Sequence, residues 1–167
     1  MRKNADNDMI RMILRKIRNN IADTEKLEVS LKTLSKYKST NADFLCKSKS
    51  LSILVLTAKH HTDNPVILKL TISIIIWSLK NTSTAINAST SACRMCQDYS
   101  IHDDLIEIIT SKRYLLHDCE MILHAIHLLA TIVNSWDKQP RLDCEAFKRE
   151  CFKKKVHLAA ISAMLAY

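Results

Sequence analysis

Two cysteines three residues apart, Cys93 and Cys96, form a C-x-x-C motif. Thiolates at this spacing can share a zinc ion, and His102, His117 or Cys119 could complete four ligands. A strong zinc motif has a second well-spaced pair, and neither such a pair nor a βαβ pattern for thioredoxin-like chemistry stands in this sequence. Residues three apart share a helix face, so these cysteines are more often small buried hydrophobes. We expect no cofactor and no metal site, with Cys93 and Cys96 as the weak candidates.

A second cluster consists of His117, Glu120, His124 and His127. At about 100° per residue, these four fall within one sector of about 80° on a helical wheel, opposite the apolar side chains of residues 121–132. Metal sites in helical bundles use Glu and His at such spacing, but their ligands project inward from several helices. A stripe that opposes the core is typical of a solvated or partner-facing polar face, so we treat these four residues as weak binding candidates.

The densest positive charge lies near the carboxyl end, in Lys148, Arg149, Lys153, Lys154 and Lys155. Such a tract resembles a nuclear-import or nucleic-acid-binding patch. Charge runs are more often simply solvated faces, and the two aromatic residues within it suit burial as well as base stacking. These five residues are therefore weak candidates for binding an anionic partner.

Catalytic motifs are missing from the sequence. It contains no glycine, which excludes the P-loop, the dinucleotide-binding fingerprint and the kinase glycine-rich loop. No HExxH motif or paired-carboxylate pattern stands out, and scattered Ser and His residues cannot be assembled into a triad from sequence alone. We therefore predict that the protein is not an enzyme.

Composition bounds the fold and the partners. The 167 residues suit one domain, 47% of them are hydrophobic and only 5% are aromatic. Tight sheet turns depend on glycine, so its absence favours a single all-α domain over residues 1–167. The formal net charge of +8 favours acidic partners. The first ten residues contain no secretory leader, so we expect six reduced cysteines and a cytoplasmic or nuclear location.

The most apolar segment, residues 64–81, reads NPVILKLTISIIIWSLKN. A membrane span needs about 20 apolar residues, whereas this run is shorter and contains Lys69, so we predict no membrane span. Asn64 suits a helix N-cap and Pro65 suits the first helical position. Apolar residues cover nearly the whole wheel, including Trp77, which predicts a helix buried on several sides.

Two helical patterns recur along the chain. The helix at residues 64–81 matches the segment that begins at Asp118 when the sequence is shifted by 53. A second family begins at Met9, Leu51, Leu105 and Leu158, with spacings of 42, 54 and 53. Such alternation predicts stacked repeats.

The run LKTLSKYKSTNADFLCKSKSLSILVLTA, residues 31–58, resembles the armadillo repeat, with Ser35, Asn41, Phe44, Leu45 and Leu51 at the family's places. The resemblance implies a short α-solenoid of armadillo- or HEAT-type repeats. Its units would span about 22–60, 64–112 and 117–167 after a leading helix at 8–19, with the polar segment TSTAINASTSA supplying a longer connection. A compact multi-helix bundle is the alternative architecture.

From this architecture we predict a non-enzymatic scaffold that binds a protein or peptide, with an acidic segment favoured by charge. The resemblance implies that third helices line the groove, here residues 50–60, 104–113 and 157–167. The family's Trp and Asn ladder is not matched, so no binding residues are transferred. A basic helical nucleic-acid-binding module is the alternative function. The apolar faces of the first and last helices predict either a longer solenoid or self-association through a terminal helix.

Overall fold

The computed structural model describes residues 2–37, 42–110 and 118–136, and these residues form helices with no strand. The helices are α1 (Arg2–Asn19), α2 (Thr24–Tyr37), α3 (Ala42–Leu45), α4 (Ser48–His60), α5 (Pro65–Asn81), α6 (Ala85–Gln97), α7 (Ile101–Thr110) and α8 (Cys119–Trp136). The all-α prediction is confirmed for this part of the chain.

Helix α5 begins where the sequence predicts. The Asn64 side-chain oxygen accepts hydrogen bonds from the backbone N–H groups of Val66 and Ile67, both at 3.2 Å, and Pro65 takes the first helical position. This cap satisfies two amides that have no partner within the helix. Among the described residues, no helix combines the length and apolarity that crossing a bilayer requires.

Helix α5 is the centre of the core. It contacts α2, α3, α4, α6 and α8, and nine of its side chains are buried. Two of the nine, Thr71 and Ser78, carry hydroxyl groups. These donate hydrogen bonds to the carbonyls of Ile67 and Ile74 at 2.8 and 2.7 Å. Because the hydroxyls are satisfied within the helix itself, α5 can be surrounded without leaving a buried polar group unpaired.

Contacts between helices follow two rows. Helices α2, α5 and α8 contact one another in succession, and so do α1, α4 and α7. Each member of one row also packs against its counterpart in the other, α1 on α2, α4 on α5 and α7 on α8. Helices α3 and α6 pack against members of both rows. Helix α3 contacts α4 and α5, and α6 contacts α4, α5, α7 and α8.

The polar segment that the sequence predicts as a connection forms most of helix α6. The Thr84 hydroxyl caps it by accepting from the Asn87 amide at 3.2 Å. Its buried face contains small residues, including Ala88, Ser89 and Ala92. Small side chains let α6 pack closely on its neighbours while contributing little to the hydrophobic signal in the sequence, which is why the pattern suggests only a connection.

Other boundaries differ from the prediction by a few residues. The leading helix begins at Arg2 rather than near residue 8, and the helix predicted from Ser50 begins at Ser48. Helix α7 begins at Ile101 rather than at residue 104, and its predicted end at residue 113 lies outside the described residues. The helix predicted at 157–167 lies outside the described residues. Trp77, predicted to be buried, is half-buried on α5.

The leading helix buries most of its apolar face. Ile10, Ile13 and Ile17 belong to the core, because α1 packs on both α2 and α4. Met9 and Met12 remain 38% and 45% exposed. The apolar surface that α1 leaves open is therefore limited to two methionines rather than the whole predicted face.

Candidate binding surface

The structure places the predicted cysteine pair on helix α6. Cys96 is buried in the core, and Cys93 packs against that core while its Sγ donates to Gln97 Oε1 at 3.0 Å. Burial raises the pKa of the Cys93 thiol, with a smaller contribution from Asp98. A raised pKa disfavours the thiolate that metals require. Within the described ranges, no group of three or more His, Cys, Asp or Glu side chains could hold a metal ion.

The polar stripe predicted on α8 faces two lysines of α5, Lys69 and Lys80. Lys69 Nζ donates to Glu120 Oε2 at 2.9 Å and to Asp118 Oδ1 at 3.3 Å. Lys80 Nζ donates to His127 Nε2. These bonds tie part of the stripe into a seam between the two helices, so Glu120 and His127 are engaged within the fold.

The seam sets the protonation of its members. The Lys69 hydrogen bond holds the pKa of Glu120 below its ordinary value, and Glu120 in turn raises the pKa of Lys69. Burial lowers the pKa of His127, and the positive charge of Lys80 adds to that effect. Because a lysine ammonium can only donate, His127 is the neutral imidazole with its proton on Nδ1.

His124, the remaining described member of the stripe, bonds within its own helix. Its Nδ1 donates to the Glu120 carbonyl at 2.9 Å, one turn earlier. His117 and the basic tract of Lys148, Arg149, Lys153, Lys154 and Lys155 lie outside the described residues. Binding by these residues stays a prediction.

A basic cavity that the sequence does not predict lies between α1, α3 and α4. It has a volume of about 530 Å³, and its lining includes Arg11, Arg15, Lys47, Lys49 and Phe44. Arg11 and Arg15 are four residues apart on α1 and so point to the same side of the helix. Lys47 and Lys49 come from the start of α4, 32 or more positions later in the chain. We call this the basic cavity.

The Phe44 ring contacts two of the cations that line the basic cavity. The Arg11 guanidinium carbon lies 5.4 Å from the centre of the Phe44 ring, and Lys47 Nζ lies 5.6 Å from it. Both are cation–π contacts, worth about 0.5–1 kcal/mol each at exposed sites. Arg11 also donates to Asp8 at 2.9 Å, through side chains that are both well exposed. The ring therefore holds two positive groups at the cavity wall.

Positive charge in the basic cavity is largely uncompensated. Lys26, Lys32, Lys59 and Lys69 each have a carboxylate within ion-pair distance. Among the residues that the structure describes, Arg15, Lys47 and Lys49 have none. A concave surface with several unpaired cations raises the local concentration of anionic groups.

Hydrogen bonds to α5 and to the turn after it hold the four-residue helix α3 in place. Asp43 Oδ1 accepts from the Thr82 hydroxyl at 2.6 Å and from the Ser83 amide at 2.7 Å. Cys46 Sγ donates to the Ser78 carbonyl at 3.3 Å, and burial raises the pKa of this thiol to about 11. So short a helix has little stability of its own, and these bonds fix the position of Phe44 and Lys47.

Comparison with protein-family models, curated proteins and solved structures finds no match for this chain. What the basic cavity can bind therefore rests on its own shape and charge. The signal in the sequence that could have located half of it is the Arg11/Arg15 pair on a single helix face. The other half required knowing that α4 packs beside α1.

Proposed function

We propose that this protein is a non-enzymatic helical-repeat scaffold that binds an extended acidic segment of a partner protein in the basic cavity. Two rows of successive helix contacts, α1–α4–α7 and α2–α5–α8, support a short α-solenoid. The basic cavity is lined by α1, α3 and α4, and α4 is one of the helices that the armadillo resemblance assigns to the groove.

The observation that carries the proposal is the set of uncompensated cations around one concavity. A bound carboxylate at an exposed site gains only about 0.2–1 kcal/mol from each ion pair. Three cations without a carboxylate partner, with Arg11 beside them, together favour a ligand that carries several negative charges. Such a ligand would associate quickly at low salt, because the field of the cavity steers it.

An acidic peptide suits the cavity better than a nucleic acid does. Single-stranded nucleic acids gain much of their affinity from bases that stack on aromatic rings. Phe44 is the aromatic residue of the cavity, and it packs against the core with Arg11 and Lys47 over its ring. A base would have to displace both cations. A carboxylate would instead approach them directly.

Binding here would act by presentation rather than by chemistry. The cavity lining among the described residues consists of cationic and apolar side chains with one serine, Ser50. A rigid wall of this kind can hold an extended segment without activating a nucleophile or transferring a proton.

The test uses a fluorescein-labelled peptide of about twelve residues with alternating Glu and Ser, long enough in extended form to cross the cavity. Fluorescence anisotropy should show saturable binding that weakens as salt rises. Arg15→Glu and Lys49→Glu should each weaken binding by about tenfold, since a repulsion replaces an attraction. Circular dichroism of each variant checks that the fold is retained.

Lys16→Glu is the matched control, because Lys16 lies exposed on another side of the same helix and does not line the cavity. It makes the same change in net charge. Equal weakening by Lys16→Glu and Arg15→Glu would reduce the binding to a general effect of charge and overturn the proposal. Tighter binding of a single-stranded oligonucleotide than of the acidic peptide would favour the nucleic-acid-binding alternative.

A further inference from the structure

A second cavity lies on the other side of Lys47. It has a volume of about 280 Å³ and is bounded by α3 and α6. Lys47 lines both this cavity and the basic cavity. We call the smaller one the α6 cavity. Since the two share the side chain of Lys47, the residue just before α4, they form adjoining parts of one surface.

The α6 cavity has its own anion-binding groups. Asn87, Thr90 and Arg94 line it from α6, at positions that share one face of the helix, and all three are exposed. An amide and a hydroxyl beside a guanidinium can together satisfy a carboxylate, which accepts several hydrogen bonds. Lys47 adds a second cation from the opposite wall.

The remaining polar groups of the α6 cavity are already committed to the fold. Asp43 Oδ1 accepts two hydrogen bonds from the turn after α5. The Ser91 hydroxyl donates to the Cys46 carbonyl at 2.9 Å. The Asp43 carboxylate lowers the net positive charge, so the α6 cavity should attract anions less strongly than the basic cavity does. It is suited to a single acidic side chain.

We infer that one acidic segment occupies both cavities, crossing α3 at Lys47, with several carboxylates in the basic cavity and one more bound by Arg94, Asn87 and Thr90. This inference rests on the proposed function and extends it. Once the first part of the segment is bound, the second contact is intramolecular, so even a weak site adds affinity. The α6 cavity would thus select for length and for the position of a distant acidic residue.

The experiment compares two labelled peptides, one of about six residues and one of about twelve, both with alternating Glu and Ser. The short peptide is expected to fill the basic cavity, which has more cationic side chains, and not to span both cavities. Arg94→Gln should weaken the long peptide by about two- to fivefold and leave the short peptide unchanged. Arg15→Gln should weaken both peptides, and Lys16→Gln, the charge-matched control, should weaken neither.

Several outcomes would overturn this inference. Equal affinity of the two peptides for the unaltered protein would mean that the ligand does not reach the α6 cavity. Weakening of both peptides by Arg94→Gln would mean that the short peptide also contacts Arg94, so that the two cavities do not bind separate parts of one segment. Weakening of neither would remove Arg94 from the site. In these cases the proposed function would survive if Arg15→Gln still weakens binding. If neither peptide binds the unaltered protein, the proposed function fails and the inference fails with it.

Discussion

Lys69 of α5 and Glu120 of α8 form an ion pair of 2.9 Å, although 51 positions separate them in the sequence. Lys69 also reaches Asp118 at 3.3 Å, at the start of the same helix. One ammonium group therefore joins the start of α8 to the second turn of the core helix α5. The pair belongs to the seam that includes Lys80 and His127.

The Glu120 ion pair predicts a loss of stability in acid. The pKa of Glu120 is lowered from its ordinary value of 4.5, so the folded state binds its proton less readily than the unfolded state does. Its contribution is therefore present above pH 4.5 and is lost as pH falls through the lowered pKa. Urea unfolding from neutral to acid pH should show this loss, and Glu120→Gln should reduce it. Glu107→Gln, an exposed change on α7, is the control, and an equal reduction there would contradict the prediction.

His127 predicts a second pH dependence at higher pH. Its pKa is lowered from 6.5, first by burial and then by Lys80, so the unfolded state binds the proton more readily. Stability should therefore fall as pH drops from 6.5 toward the lowered pKa. An NMR titration of the His127 ring should place its pKa below 6.5, and Lys80→Met should shift that pKa upward. A pKa of 6.5 or higher in the unaltered protein would exclude the seam as described.

Core burial predicts which of two substitutions in α5 destabilises the fold more. The predicted order is the opposite of the one expected from side-chain size alone. Ile74 of α5 is fully buried, whereas Trp77, one turn later, is only half-buried. Ile74→Ala should cost about 2–5 kcal/mol, because it leaves a cavity as well as losing transfer energy. Trp77→Ala should cost less than about 3 kcal/mol, since Trp77 is already partly exposed. Urea unfolding of both variants measures the order, and a larger loss for Trp77→Ala would contradict the structure.

The backbone conformation of Ser100 predicts that glycine at this position would stabilise the fold. It is the residue with positive φ among the described residues, at 50°, and its amide donates to the Cys96 carbonyl at 3.1 Å where α6 ends. Glycine adopts this conformation without the steric cost that a side chain imposes. Ser100→Gly should therefore raise the free energy of unfolding by about 0.5–1 kcal/mol.

Asp98→Gly is the control for that substitution. Asp98 lies two residues earlier in the same turn, with helical φ and ψ of −86° and −27°. Glycine there gains nothing in the folded state and adds entropy to the unfolded chain, so stability should fall. If thermal unfolding shows both variants less stable than the unaltered protein, the positive φ at Ser100 is not a source of strain.

Much of the local structure could be predicted because its causes lie close together in the chain. Asn64 and Pro65 begin α5 through bonds within a few residues, and the apolar wheel of residues 66–79 predicts its burial. The recurring helix starts place α4 and α7 to within three residues. Helix caps and apolar periodicity depend on residues within one or two helical turns of each other, so both can be recognised in the sequence. Helix α6 is the exception, since its small residues become informative only once a neighbour packs against them.

The candidate binding surface was decided by tertiary structure. Arg11 and Arg15 become part of a cavity only because α1 packs beside α4, and Phe44 reaches them only because Asp43 and Cys46 anchor α3. The sequence alone likewise predicts that the stripe on α8 is a free polar face. The structure places Lys69 and Lys80 opposite it. Such pairings depend on the direction and separation of whole helices. Many packings of the same helices satisfy the local pattern, and the sum of contacts across the core selects among them.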